Sequence, residues 1–125
     1  MVRKVFDAWG EGDFRAGVGH LDPNVVLVVG REFPDAGTSL GPEAVRDYTT
    51  RFLEQWDRLT MSAEEIRHSG DTVLVRTRQR GSGKTSGVES EMTYFWILTF
   101  RGGKIIRLES VRDETQALEA AGLSE

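Results

Sequence analysis

The chain has no cysteine. Disulfides, thiolate nucleophiles and cysteine-ligated metals are therefore excluded. It also has no excess of positive charge: 16 Lys+Arg stand against 20 Asp+Glu, a net charge of -4. Nucleic-acid binding needs a basic field or stripe that neutralises phosphates, so no nucleic-acid partner is expected. No apolar run approaches the roughly 20 residues that span a bilayer, so no membrane partner is expected either. The opening Met1 to Trp9 is amphipathic and lacks the uninterrupted apolar core of a secretion signal. A cytoplasmic location is the default expectation. Histidine is scarce: His20 and His68 stand alone, each at the end of an expected element, where exposure is the common fate. A general-base role for His20 has no supporting spacing. No histidine and carboxylate cluster has metal spacing, and no cofactor is expected.

What is present suits one globular domain over residues 1–125. Hydrophobic content of 38% and charged content of 29% are ordinary for a chain with a single core. The longest candidate strand is Ser86 to Phe100. One of its faces carries Val88, Ser90, Met92, Tyr94, Trp96, Leu98 and Phe100; the other carries Glu89, Glu91, Thr93, Phe95, Ile97 and Thr99. Successive strand side chains point to opposite faces, so the two sets meet different surroundings. The first is bulky and mostly apolar, with polar handles on two rings, and suits a core or a pocket wall.

Around this strand the chain alternates between recognisable patterns. Val2, Val5, Phe6 and Trp9 form one apolar helical stripe. Asp13 can cap a short helix over Phe14 to Leu21, weakened by Gly17 and Gly19. Val25 to Val29 reads as a buried strand. Gly30 to Gly41 is a loop carrying Arg31, Glu32 and Asp35. Gly41-Pro42-Glu43 opens a helix with the core stripe Val45, Tyr48, Phe52 and Trp56, ending near Asp57. Leu59 to His68 is a strand blurred by Ala63-Glu64-Glu65. Thr72 to Arg80 alternates cleanly, with Val73, Val75, Thr77 and Gln79 opposite Leu74, Arg76, Arg78 and Arg80. Gly81 to Gly87 is a flexible connection, and Arg101-Gly102-Gly103-Lys104 is a hairpin turn. Ile105 to Arg112 is the last strand. Asp113 and Gln116 open a short helix that Gly122 and Leu123 close. Gly83-Lys84-Thr85 is no phosphate loop, because position 78 is an arginine and the segment joins two strands. Helices followed by a run of strands predict an α+β fold, with helices on one face of an antiparallel sheet.

This order resembles the nuclear-transport-factor-2-like superfamily, and within it the SnoaL-like branch. The resemblance covers nearly the whole chain. It is carried by Ala8-Trp9 with Gly12-Asp13, by Gly41-Pro42-Glu43-Ala44-Val45, by Trp56, by Thr99-Phe100-Arg101-Gly102-Gly103-Lys104-Ile105, and by Ala117-Leu118 with Gly122-Leu123. It implies a curved antiparallel sheet wrapped around helices, forming a cone with an internal pocket. In that cone Met92, Tyr94, Trp96, Leu98, Ile106, Leu108, Ser110 and Arg112 would look inward, with Val73, Val75 and Thr77. Arg76, Arg78 and Arg80 would face out beside Glu89 and Glu91. Phe95, Ile97, Leu74, Ile105 and Val111 would leave an outer apolar area. Superfamily members commonly pair through that face, so a homodimer through the outer sheet face is expected.

The superfamily spans isomerases, dehydratases, cyclases, epoxide hydrolases and non-catalytic modules, so function must come from the site. Ketosteroid-isomerase chemistry is rejected, since Val5, Val28 and Trp96 occupy the positions of its tyrosine and two acids. A guanidinium at the inward end of the last strand must be paired. Arg112 with Glu32 or Asp35 would thus be catalytic groups; the alternatives are a structural salt bridge closing the cone, or an exposed strand end. Tyr94, Trp96, Met92, Leu108, Ser110 and Trp56 would contact a small apolar or carboxylate-bearing molecule. Two readings stay open: a cofactor-independent isomerase, cyclase or hydrolase, and a non-catalytic ligand-binding or dimerisation module.

Overall fold

The period-2 alternation of the long strands dictates a sheet with two unlike faces, and the computed structural model has one. It describes residues 2–10, 18–33 and 36–123. The elements are α1 (Val2–Gly10), a 3-10 turn (Val18–His20), β1 (Leu21–Val29), β2 (Gly37–Leu40), α2 (Gly41–Leu53), β3 (Trp56–Ser69), β4 (Thr72–Gly83), β5 (Glu89–Arg101), β6 (Lys104–Val111) and α3 (Glu114–Ala120). The helix expected over Phe14 to Leu21 falls mostly outside the described residues; Leu21 opens β1.

Six strands form one sheet in the order β2-β1-β6-β5-β4-β3. Four of its five pairings are antiparallel, but β1 runs parallel to β6. The sheet is thus mixed rather than purely antiparallel. The fold is an α+β cone.

The inner face packs on α1 and α2. Phe6 and Val45 bury against Val25, Leu27, Val29, Val73, Val75, Leu98 and Ile105. Phe6, Val25, Val75 and Thr77 are almost wholly buried. The turn between β5 and β6 has Gly102 at φ 59° and Gly103 at φ 76°, the two left-handed positions of a hairpin turn that favours glycine.

Register shifts in β3 and between β5 and β6 reset the side-chain alternation, and a further one lies in β1 between Leu21 and Val26. In β3 the register slips at Asp57 and at Glu64, which explains the blurred pattern around Ala63. Trp56, Leu59 and Met61 therefore share the inner face despite mixed parity. Between β5 and β6 it slips at Ile106, so Phe100 pairs with Ile105. Ile105, not Ile106, consequently points into the inner core.

The outer face also departs from expectation. Leu74, Phe95, Ile97 and Val111 lie on it as parity requires, but they are buried beneath Ala117, Leu118, Ala121 and Leu123. So α3 sits on the face opposite the other helices and covers the apolar area expected to be exposed. The Asp113 carboxylate accepts from Thr115 N at 3.0 Å to start this helix. Leu123 N donates to Leu118 O at 2.8 Å and Gly122 takes φ 73° to end it, a glycine-terminated helix with its apolar follower tucked in. Beyond α3 the outer face carries a charge ladder. Glu64 meets Arg78 at 2.8 Å and Arg76 at 3.6 Å; Glu91 meets Arg80 at 2.9 Å and Arg78 at 3.6 Å. Glu89 pairs with Arg58 at 3.8 Å instead.

Candidate functional site

The β4–β5 register places Gln79 opposite Met92, Thr77 opposite Tyr94 and Val75 opposite Trp96. All six belong to the inner face. Tyr94 is 3% exposed and Gln79 5%, so their polar atoms need partners. They find each other: the Tyr94 hydroxyl donates to Gln79 Oε1 at 2.9 Å. Trp96 Nε1 donates to the same hydroxyl at 3.2 Å. Met61 Sδ from β3 lies 3.4 Å from it. The result is a polar relay, Trp96 to Tyr94 to Gln79, set in an aromatic wall. Thr77 turns its hydroxyl back to its own strand, donating to Val75 O at 3.2 Å.

One further ring meets this wall, and a separate row of rings runs from α2 into β3. Phe33, from the turn after β1, stands edge-on to Tyr94 at 5.4 Å and 72°. Tyr94 and Trp96 are 6.0 Å apart. Along α2 and into β3, Tyr48 stacks on Phe52 and Phe52 leans on Trp56, each pair at 6.1 Å. The Trp56 ring lies over Gly81. A Cβ built there would fall 2.6 Å from Trp56 Cε3 and 2.7 Å from Arg58 O, so glycine is what lets the indole approach β4 this closely. Trp56 opens β3 rather than closing α2, which ends at Leu53. Its indole nitrogen is buried with no hydrogen-bond partner.

Of the expected ligand-contacting residues, Tyr94 and Ser110 are buried on the inner face, and Met92, Trp96, Leu108 and Trp56 are half-buried. Ser110 O accepts from Gly30 N at 3.0 Å, tying β6 to the start of the loop. The expected catalytic groups are not brought together. Arg112 is exposed, because β6 stops at Val111 and the chain bends away to let Asp113 cap α3. Strand alternation therefore does not extend to Arg112, and its inward placement is corrected. Glu32 is exposed in its turn, with Oε1 3.2 Å from the Cβ position of Gly30. No ion pair joins it to Arg112 among the described residues. Asp35 and the Trp9 side chain lie outside those residues. His20 and His68 are exposed.

Sequence reasoning missed Gln79, Met61 and Phe33. Parity put Gln79 on the inner face of β4, and that was the available signal. Phe33 was the one aromatic in a polar loop. Among the described residues no carboxylate, imidazole or amine is buried, and no group of three His, Asp or Glu could hold a metal ion. No described helix is long and apolar enough to cross a membrane. A shallow groove of about 460 Å³ lies on the outer face around Arg58, Thr60, Arg80, Glu89 and Glu91, but both arginines are already paired.

No curated protein matches the chain. Solved structures do. An NTF2-like protein from Burkholderia thailandensis is 27% identical, with TM-score 0.78 over 98% of this chain and 92% of its own. A candidate SnoaL-like polyketide cyclase from Jannaschia sp. is 19% identical, with TM-score 0.75 over 99% and 90%. TerC, crystallised with polyporic acid, is 19% identical, with TM-score 0.72 over 93% and 90%. The SnoaL-like domain model matches residues 2–108, most of the described cone. The chain therefore belongs to the SnoaL-like domain family.

Proposed function

We propose that the chain binds a small, uncharged, largely apolar molecule inside the cone. The ligand would lie against Tyr94, Trp96, Met92 and Leu108, with Phe33 and Trp56 at its edges. The observation that carries this reading is the relay from Trp96 through Tyr94 to Gln79, a few placed polar groups in an aromatic wall. Small-molecule sites have this make-up: mostly apolar lining with a small number of orienting polar groups. The SnoaL-like family and the TerC structure with polyporic acid agree with a small-molecule role.

A neutral ligand is favoured over a carboxylate-bearing one. The guanidinium that would have met a carboxylate, Arg112, is exposed, and an unpaired buried charge is costly. Binding without turnover is favoured over isomerase, cyclase or hydrolase chemistry. General acid–base catalysis needs a titratable group within reach of the reacting atom, and among the described residues the buried one is the Tyr94 phenol, whose proton is already given to Gln79 Oε1.

The test is a calorimetric panel of neutral aromatic compounds and their carboxylate counterparts, run on the chain and on Leu108→Trp. The substitution replaces a half-buried aliphatic side chain of the wall with a bulky ring. The expected result is binding of neutral members, carboxylates at least tenfold weaker, and at least tenfold weakening in Leu108→Trp. If no neutral compound binds, or binding survives the substitution intact, the cone is not the site.

A further inference from the structure

The apolar part of the outer face is kept from water by one short helix. Leu74, Phe95, Ile97 and Val111 are buried, and Ala117, Leu118, Ala121 and Leu123 pack over them. Two of these four are alanines, which bring little volume. The helix, α3, has 7 residues, and helices below roughly 12–15 residues are marginal alone in water. It forms because the sheet gives it something to bury. The bonds that start and end it are its own: Thr115 N donates to the Asp113 carboxylate, and Leu123 N donates to Leu118 O. Among the described residues no ion pair ties α3 to the sheet. Apolar contact seats it, which places it among the elements that open first.

The face beyond α3 is suited to a copy of itself. Arg76, Arg78 and Arg80 run along β4, between Glu64 on β3 and Glu91 on β5. Rows of opposite sign thus lie side by side. Such a face offers neither a polyanion nor a basic segment a uniform field. Turned by a two-fold axis onto a second copy, it can set arginines against carboxylates. A face of one sign would repel its own copy.

We propose that α3 is an autoinhibitory cover, and that the surface it masks pairs two copies of this chain. Seated, α3 keeps the chain monomeric. Unseated, it leaves Leu74, Phe95, Ile97 and Val111 as the apolar centre of an isologous interface, with the Arg–Glu ladder as its rim. A stable pair buries roughly 800 Å² on each partner, more than four side chains supply. The ladder therefore has to contribute, and pairing weakens as salt rises. The inner face takes no part, so this inference stands apart from the ligand reading.

Sedimentation velocity on the whole chain tests it, from low micromolar to near-millimolar protein. The parent should run as a single 14.0 kDa chain throughout. Ala121→Glu puts a charge where the residue is 4% exposed and should unseat α3. The expected result is a reversible monomer–dimer equilibrium with no larger species, and pairing at least tenfold tighter than any shown by the parent. Adding Glu91→Arg replaces the carboxylate that meets Arg78 and Arg80 with a cation. It should weaken the pair at least tenfold, as should high salt. Circular dichroism checks that both variants keep the sheet.

A parent that dimerises while its α3 amides resist hydrogen exchange as well as those of β5 would overturn the cover. A folded Ala121→Glu that stays monomeric would overturn the interface, and with it a second copy as the occupant. Open-ended or salt-insensitive association would overturn it too, since apolar surface that merely sticks needs no ladder. Leu123→Ser loosens the half-buried end of the α3 segment and should pair more tightly than the parent but less than Ala121→Glu. It carries the same readouts if the stronger variant does not fold.

Discussion

Tyr94→Phe removes one oxygen and leaves the ring. That oxygen accepts from Trp96 at 3.2 Å and donates to Gln79 at 2.9 Å. Its residue is 3% exposed, so water cannot replace it. Each hydrogen bond contributes about 1 kcal/mol net, and a buried partner left unsatisfied costs ~1–3 kcal/mol. Trp96 is half-buried and can recover part of its loss from solvent; Gln79 cannot. A loss of about 2–3 kcal/mol follows. With an unfolding entropy of ~2.1 cal/mol/K per residue over a chain of this length, 1 kcal/mol lowers Tm by roughly 4 °C, so Tm should fall by about 8–12 °C. Circular dichroism melts and urea titrations measure both quantities. The double variant Tyr94→Phe with Gln79→Leu should regain part of the loss, since removing both partners costs less than orphaning one. A Tm within about 2 °C of the parent, or strict additivity in the double variant, would refute the relay as a stabilising unit.

Gly81→Ala should cost about 1–3 kcal/mol and shift the tryptophan emission, because the new methyl meets the Trp56 ring and the Arg58 carbonyl at under 3 Å; unchanged melting and emission would mean the indole does not lie there. Arg78→Ala breaks two links of a half-exposed ladder and should cost under about 1 kcal/mol, a difference that shrinks in 1 M salt. A salt-independent loss would point to packing of its stem instead. Ala117→Arg places a long cation where the side chain is fully buried. It should unseat α3, uncover Phe95 and Ile97, and raise self-association in sedimentation. A variant that sediments like the parent would show that the outer face is no latent interface between copies.

Much of the architecture was legible because it is written in local periods. The inward set of β5 and the outward arginines of β4 follow from alternation alone, and both stand where parity puts them. The Asp113 cap, the Gly122 stop and the Gly102-Gly103 turn follow from backbone chemistry that needs no partner. Gln79 was visible as an inner-face residue, but a glutamine beside three buried neighbours has no meaning until a second polar group stands across from it.

By itself, then, the sequence determined most of the elements, the faces of β4 and β5 and the family-wide outline of a cone, since side-chain direction and capping depend on neighbours within a few residues; β2, inside the stretch read as a loop, was not legible. The tertiary structure alone decided the rest. Bulges at Asp57, Glu64 and Ile106 are set by the partner strand, and each reverses which side chains look inward. The parallel pairing of β1 with β6 and the seat of α3 on the outer face depend on contacts between segments far apart in the chain. So do the exposure of Arg112, at a strand end the helix cap pulls aside, and the meeting of Trp96, Tyr94 and Gln79 across two strands. A hydrogen bond needs both partners within about 3 Å, and only the packed sheet brings them there.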